Sequence, residues 1–157
     1  MVEISNSDAS LPLQVSPEAA AEILEKISQI SYSMGFSGGL RPAQWNALRY
    51  FGRSEDAART VGHFARYNMT TPSSASQTIN ALVTRKILER APVSGDRRTY
   101  RIDLSEAGRE LLSRDPIHHL IEAIAEMSEG RRFDFAEHLE FLLRRMLERA
   151  AEHYGKS

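Results

Sequence analysis

Cysteine is absent from the 157-residue chain. Its absence removes disulfides, Cys-ligated zinc, iron–sulfur clusters and a thiol redox switch. No apolar run approaches the roughly 18 residues that a membrane helix needs. The opening stretch, MVEISNSDASLPLQVSPE, has no basic segment followed by an apolar one, so no signal peptide is expected. These absences fit a cytoplasmic protein with no membrane partner. Also missing is any nucleophile–base arrangement. The serines of 73–76 read as a helix start rather than a G-x-S-x-G elbow, so no catalytic residues and no enzyme are expected. His118, His119, Glu122 and Glu126 lie close in sequence, with His118 and Glu122 four apart. Adjacent histidines point in different directions on a helix and no strict ligand motif appears, so neither a metal site nor a cofactor is expected.

What is present is a segregated charge. The net charge is −1. Residues 1–40 carry one basic and five acidic side chains, 41–102 carry eleven and four, and 103–157 carry eight and twelve. A basic middle between acidic ends suits a polyanion on one surface and something else on the others.

The length suits one domain, here 16–157, behind a polar tail of 1–15. Ser16-Pro17-Glu18 reads as N-cap, N1 proline and first-turn acid. Ala20, Ile23, Leu24, Ile27, Ile30 and Met34 follow at helical spacing, ending near Gly35. A second helix runs from about Arg41-Pro42 to Gly52, with Trp45, Leu48 and Phe51 apolar. Thr60 caps a short third helix, with Val61, Phe64 and Ala65 inward. Thr71-Pro72 opens a fourth, to about Arg85, with Ala75, Ile79 and Leu82 as its buried stripe.

ILERAPV (87–93) and TYRIDL (99–104), the second with Tyr100, Ile102 and Leu104 alternating at a period of two, predict a hairpin with SGDRR (94–98) as its tip. Ser105 caps a helix to about Arg114, and Asp115-Pro116 restarts it. Gly130 closes that segment. A last helix over about 133–153 has two adjacent apolar stripes, wider than one neighbouring helix covers. The expected fold is mainly α with a small β-hairpin wing. A winged helix-turn-helix occupies about 40–104, flanked by dimerisation helices at 16–34 and 105–154.

On the fourth helix Ser73, Ser76, Gln77, Asn80 and Thr84 form one uncharged polar stripe. Such a stripe either faces water or reads a major groove, where Gln and Asn pair with adenine and Ser and Thr reach bases or phosphates. The tip weighs on the second side. Adjacent arginines on a hairpin gain little unless an anion meets them, and a narrow minor groove attracts them. Asp96 is placed to brace Arg97 or Arg98.

Four segments resemble the MarR family of winged helix-turn-helix regulators: LRPAQWNAL (40–48), FARYNMTTPSSASQTINALVTRKILER (64–90), DRR (96–98) and LSEAGRELL (104–112). The resemblance implies a homodimer with interlocked terminal helices, a recognition helix in the major groove and a wing in the minor groove. It implies DNA contacts by Ser73, Ser74, Ser76 and Gln77. Thr71 and Asn80 on the same helix, and Asp96, Arg97 and Arg98 on the wing, complete the candidate set. Gln77 stands where many members have Arg, and Asn68-Met69-Thr70 replaces a common apolar-Gly-apolar turn. The resemblance also implies release of DNA by a small aromatic or carboxylate effector. Tyr32, Phe36, Trp45 and Arg49 are the candidate cleft, with Arg49 for the carboxylate; for Trp45 and Phe36 the favoured reading is plain core. The expected function is a DNA-binding repressor on a pseudo-palindromic operator. The alternative is a winged-helix protein-interaction module without specific DNA.

Overall fold

The computed structural model describes residues 16–93 and 96–154, with 93, 96–99 and 154 as backbone only. The chain divides into two units, Met1–Pro116 and Ile117–Ser157. The first holds α1 (Pro17–Met34), α2 (Pro42–Arg53), a 3₁₀ turn (Asp56–Ala58), α3 (Val61–Tyr67) and α4 (Pro72–Thr84). It continues with β1 (Leu88–Val93), β2 (Asp96–Leu104) and α5 (Glu106–Leu112). The second holds α6 (Ile117–Ala125) and α7 (Glu129–Tyr154). This is the expected mainly α fold with a two-stranded antiparallel hairpin.

The helix starts follow their caps. Ser16, Thr60, Thr71 and Ser105 each accept a hydrogen bond from the backbone N–H three residues on, the capping geometry that short polar side chains favour. The core of the first unit is one cluster. Trp45, Leu48 and Phe51 of α2 meet Phe64 of α3, Ile79 and Leu82 of α4, and Leu88, Ile102 and Leu104 of the hairpin. The Tyr50 ring bridges Phe64 and Tyr67, while its hydroxyl donates to the Ala58 carbonyl at 2.8 Å.

The hairpin is joined to the helices at its root. The buried Ser105 hydroxyl donates to the carbonyls of Lys86 and Ile87, at 2.7 and 3.0 Å, and accepts from Gly108 N–H. A Cβ on Gly108 would lie 2.2 Å from the Ile87 carbonyl oxygen. Glycine therefore stands there because α5 crosses the strand backbone too closely for any side chain.

Three boundaries differ from expectation. Gly130 opens α7 rather than closing the segment before it, and α7 begins at Glu129 instead of 133. A glycine two residues into a helix, with a favourable acid before it, is no stop signal. α5 ends at Leu112, short of Arg114, and restarts as α6 after Pro116. Asp96, Arg97 and Arg98 belong to β2, not to the tip.

Two helices leave apolar side chains uncovered in the single chain. On α1 no residue is buried, and Ile23, Ile27 and Ile30 are exposed. On α7 Leu142, Leu143, Met146 and Leu147 are exposed along the stripe noted in the sequence. Among the described residues no helix is long and apolar enough to cross a membrane.

Two of the helical glycines, Gly108 and Gly130, give opposite expectations. Gly108→Ala should destabilise the first unit by at least about 2 kcal/mol, because backbone rather than a flexible side chain must move. Gly130 has nothing within 4 Å of its missing Cβ. Gly130→Ala should stabilise its helix by about 0.5–1 kcal/mol. Urea unfolding followed by circular dichroism measures both.

Candidate nucleic-acid interface

The interface is built from the end of α3 onward. Thr70 N–H donates to the Ala65 carbonyl and Met69 N–H to the Arg66 carbonyl, at 3.0 and 3.2 Å. This paired pattern is a Schellman stop with Met69 in the left-handed region, φ 46°. Thr71 follows at once as the N-cap of α4, so the turn between the helices is only a stop and a start. The same stop ends α4. Ile87 N–H donates to Leu82 O, Lys86 N–H donates to Val83 O, and Lys86 has φ 56°. Both stops use a side chain where glycine is the usual residue.

α4 buries Ala75, Ile79 and Leu82 and turns Ser73, Gln77, Asn80 and Thr84 outward, with Ser76 half-buried. Ser73 and Gln77 are exposed on one face of the helix. Thr71 and Ser74 are engaged with each other. The Thr71 hydroxyl accepts from Ser74 N–H at 3.2 Å and donates to the Ser74 hydroxyl at 3.1 Å. They form the helix start, where the Thr71 hydroxyl caps Ser74 N–H and the Thr71 carbonyl accepts from Ala75 N–H. Asn80 is also engaged: its carbonyl oxygen accepts from the Arg90 guanidinium of β1. Between Pro72 and Thr84 there is no Lys, Arg, Asp or Glu.

The wing pairs regularly from Leu88↔Leu104 to Pro92↔Tyr100 and then steps to Val93↔Asp96. Arg97, Arg98 and Thr99 fall in that step, so the two arginines lie on β2 beyond its regular ladder. The side chains of Asp96, Arg97 and Arg98 lie outside the described residues. At the root, Ile102 N–H donates to the Arg59 carbonyl at 2.8 Å. A ring of charges surrounds this link. Arg59 reaches Asp103 at 2.9 Å and Asp56 at 3.3 Å, Arg101 reaches Asp103 at 2.9 Å, and Arg101 closes the ring on Asp56. The hydrogen bond to Asp103, reinforced by the charges of Asp103 and Asp56, raises the Arg101 pKa above the ordinary arginine value.

Sequence reasoning missed Arg90 and this ring. Directly opposed residues of an antiparallel pair share a face. Arg90 is therefore on the side of Ile102 and Leu88, and its exposed guanidinium reaches α4. The alternation of Leu88 and Arg90 with the outward Glu89 was the available signal.

The four effector candidates are not brought to one free surface. Trp45 is core, and its indole N–H is buried without a partner among the described residues. Tyr32 and Phe36 are exposed and stack edge to face, 5.3 Å between ring centres. Arg49 is taken. Its guanidinium makes a two-pronged pair with the buried Asp115, at 2.6 and 2.7 Å, and a third bond to Asn46. The carboxylate expected for Arg49 is thus supplied by the chain itself. A cleft of about 410 Å³ lies elsewhere, lined by Phe51, Gly52, Leu104 and Leu112 with Arg59 and Arg109 at its rim. His119 approaches Glu122 to 3.8 Å on an exposed helix face. Among the described residues no group of three potential ligands could hold a metal.

This order of elements, with a capped helix after a tight turn and a hairpin packed beside it, defines a winged helix-turn-helix protein. The MarR family model matches residues 38–99 of the chain. No curated protein matches the chain. Solved structures share its fold. A MarR from Staphylococcus aureus, in complex with salicylate and kanamycin, has a TM-score of 0.66 at 15% identity, over 83% of this chain and 89% of its own. A MarR/EmrR family transcriptional regulator from Acinetobacter sp. ADP1 has 0.64 at 22%, over 84% and 96%. The S. aureus MepR–DNA complex has 0.62 at 18%, over 82% and 96%.

Met69 offers a test of the turn. A left-handed residue with a side chain carries a steric cost of about 1–2 kcal/mol that glycine avoids. Met69→Gly should therefore raise stability by about 1 kcal/mol, read from the urea midpoint.

Proposed function

We propose that the protein is a homodimeric transcriptional regulator that binds a pseudo-palindromic operator in double-stranded DNA and represses by blocking promoter access. The observation that carries this reading is the outward polar stripe of Ser73, Gln77 and Asn80 on α4, beside a hairpin that continues into Arg97 and Arg98. α4 enters the major groove, where Ser73, Ser76, Gln77 and Asn80 meet base edges. Thr71, Ser74 and the α4 N-terminus meet a phosphate. The wing enters the minor groove, with Asp96 bracing Arg97 and Arg98. The MepR–DNA complex supports this, because the same fold binds DNA there.

Homodimerisation draws on the uncovered apolar side chains of α1 and α7, which need a partner surface. Two-fold symmetry then sets the half-sites about one helical turn apart. Salicylate in the S. aureus MarR supports small-molecule control of this fold. In this chain a carboxylate effector reaches Arg49 only by exchanging with Asp115.

A salt titration on DNA from upstream of the protein's own gene, against random DNA, tests the reading. The upstream DNA should bind at least about a thousandfold more tightly. Arg97→Ala with Arg98→Ala should weaken binding to all sequences and lower the log–log salt slope by about 2. Gln77→Ala should instead cost about 1–3 kcal/mol on the preferred site and relax one base position. Equal, weak binding to both DNAs with a stable non-self complex would favour the protein-interaction module. An unchanged slope in the double variant would refute the wing assignment.

A further inference from the structure

We propose that Arg90 is a positioning residue for base recognition: it holds the Asn80 amide in one orientation, so that α4 presents a hydrogen-bond donor to a guanine in each half-site. This rests on the DNA-binding reading above and deepens it.

The chemistry of the pair fixes the orientation. A guanidinium only donates hydrogen bonds, so the Asn80 group that meets it must be the carbonyl oxygen. The amide NH₂ then faces away from β1. A free asparagine can rotate its amide and present oxygen or nitrogen to a base; this one cannot do so without breaking a charge-assisted bond. Withdrawal of electron density by the cation also makes the outward N–H groups stronger donors.

A donor suits one base edge best. Guanine presents two acceptors in the major groove, O6 and N7. Adenine presents N7 beside an amine, and that amine needs the amide oxygen already engaged by Arg90. The positive charge behind the amide also favours the guanine edge. α4 supplies no charge of its own. The cation comes from the adjacent strand, at a position that faces α4 because it opposes the buried Ile102. Asn80 lies one turn beyond Gln77 on the outward stripe, which places its base pair next to the one that Gln77 reads.

Selection of bound sequences from a randomised half-site library, followed by competition on the selected site, tests this. Wild type should favour guanine over adenine at one position by about 5- to 150-fold, the range of one good base contact. Arg90→Lys keeps the charge but not the two-directional donor geometry. It should bind random DNA within about twofold of wild type, with the same salt slope, yet lose the preference at that position. Asn80→Ala should lose the same preference, and the double variant should lose no more than either single one. Both side chains are exposed, so thermal melts of the variants should match wild type.

If Arg90→Lys selects the same base as wild type while Arg90→Ala weakens all sequences equally, Arg90 is a phosphate contact and the proposal is overturned. Selection of adenine at the Asn80 position by wild type overturns it too, and leaves the regulator reading intact. Absence of any sequence preference in wild type overturns both.

Discussion

The Ser105 hydroxyl, shared between the carbonyls of Lys86 and Ile87 and the N–H of Gly108, is the joint on which the winged half depends. Four pieces of chain meet there: the stop of α4, the start of β1, the end of β2 and the first turn of α5. The hydroxyl satisfies groups that would otherwise be buried unpaired, each worth about 1–3 kcal/mol when orphaned. Gly108 lets α5 close over the joint at backbone distance. The leucine–serine–x–x–glycine pattern at 104–108 is thus a description of one contact, and the orientation of the hairpin relative to α4 is set there. Ile87 and Leu82 pack at the same place, so the polar joint is covered by the core.

The fold was legible in the sequence wherever a local rule decided it. Capping residues followed by proline marked the starts of α1 and α4 to the residue, and the period-two runs marked the hairpin. The errors came where one residue type admits two meanings. Gly130 reads as a stop, yet glycine also sits harmlessly in a first helical turn. The arginines of DRR follow Ser94-Gly95 and so read as part of the turn; an irregular step in the ladder accommodates them on β2. Of the candidate site, the polar stripe of α4 was visible as a spacing. The partners of Asn80 and Arg49 were not. Arg90 is ten residues from Asn80, and Asp115 is sixty-six from Arg49. No local pattern signals a contact of that range.

Charge and shape are divided between elements. α4 contributes shape and neutral hydrogen-bonding groups, whereas cations reach its surroundings from β1, β2 and the α2–α3 connection. Surface ion pairs taken singly are worth at most about 1 kcal/mol, and a closed ring holds its members more firmly than separate pairs do. The ring of Asp56, Arg59, Arg101 and Asp103 spans the 3₁₀ turn and β2, so it braces the strand that carries Arg97 and Arg98. Asp103 also stands opposite Glu89 in the ladder, and the two arginines offset that like-charge pairing.

The step in the ladder after Pro92 separates the wing into two lengths with different duties. Proline has no N–H to give, so the regular hydrogen bonding can end there without leaving a donor stranded. On the near side, each residue is fixed by its opposite number and by the core beneath. On the far side the described pairing is Val93↔Asp96, set off from the register of the root by the step. The length of the far part can therefore change by insertion or deletion without shifting the register of the root. The joint that aims the wing keeps its geometry unchanged.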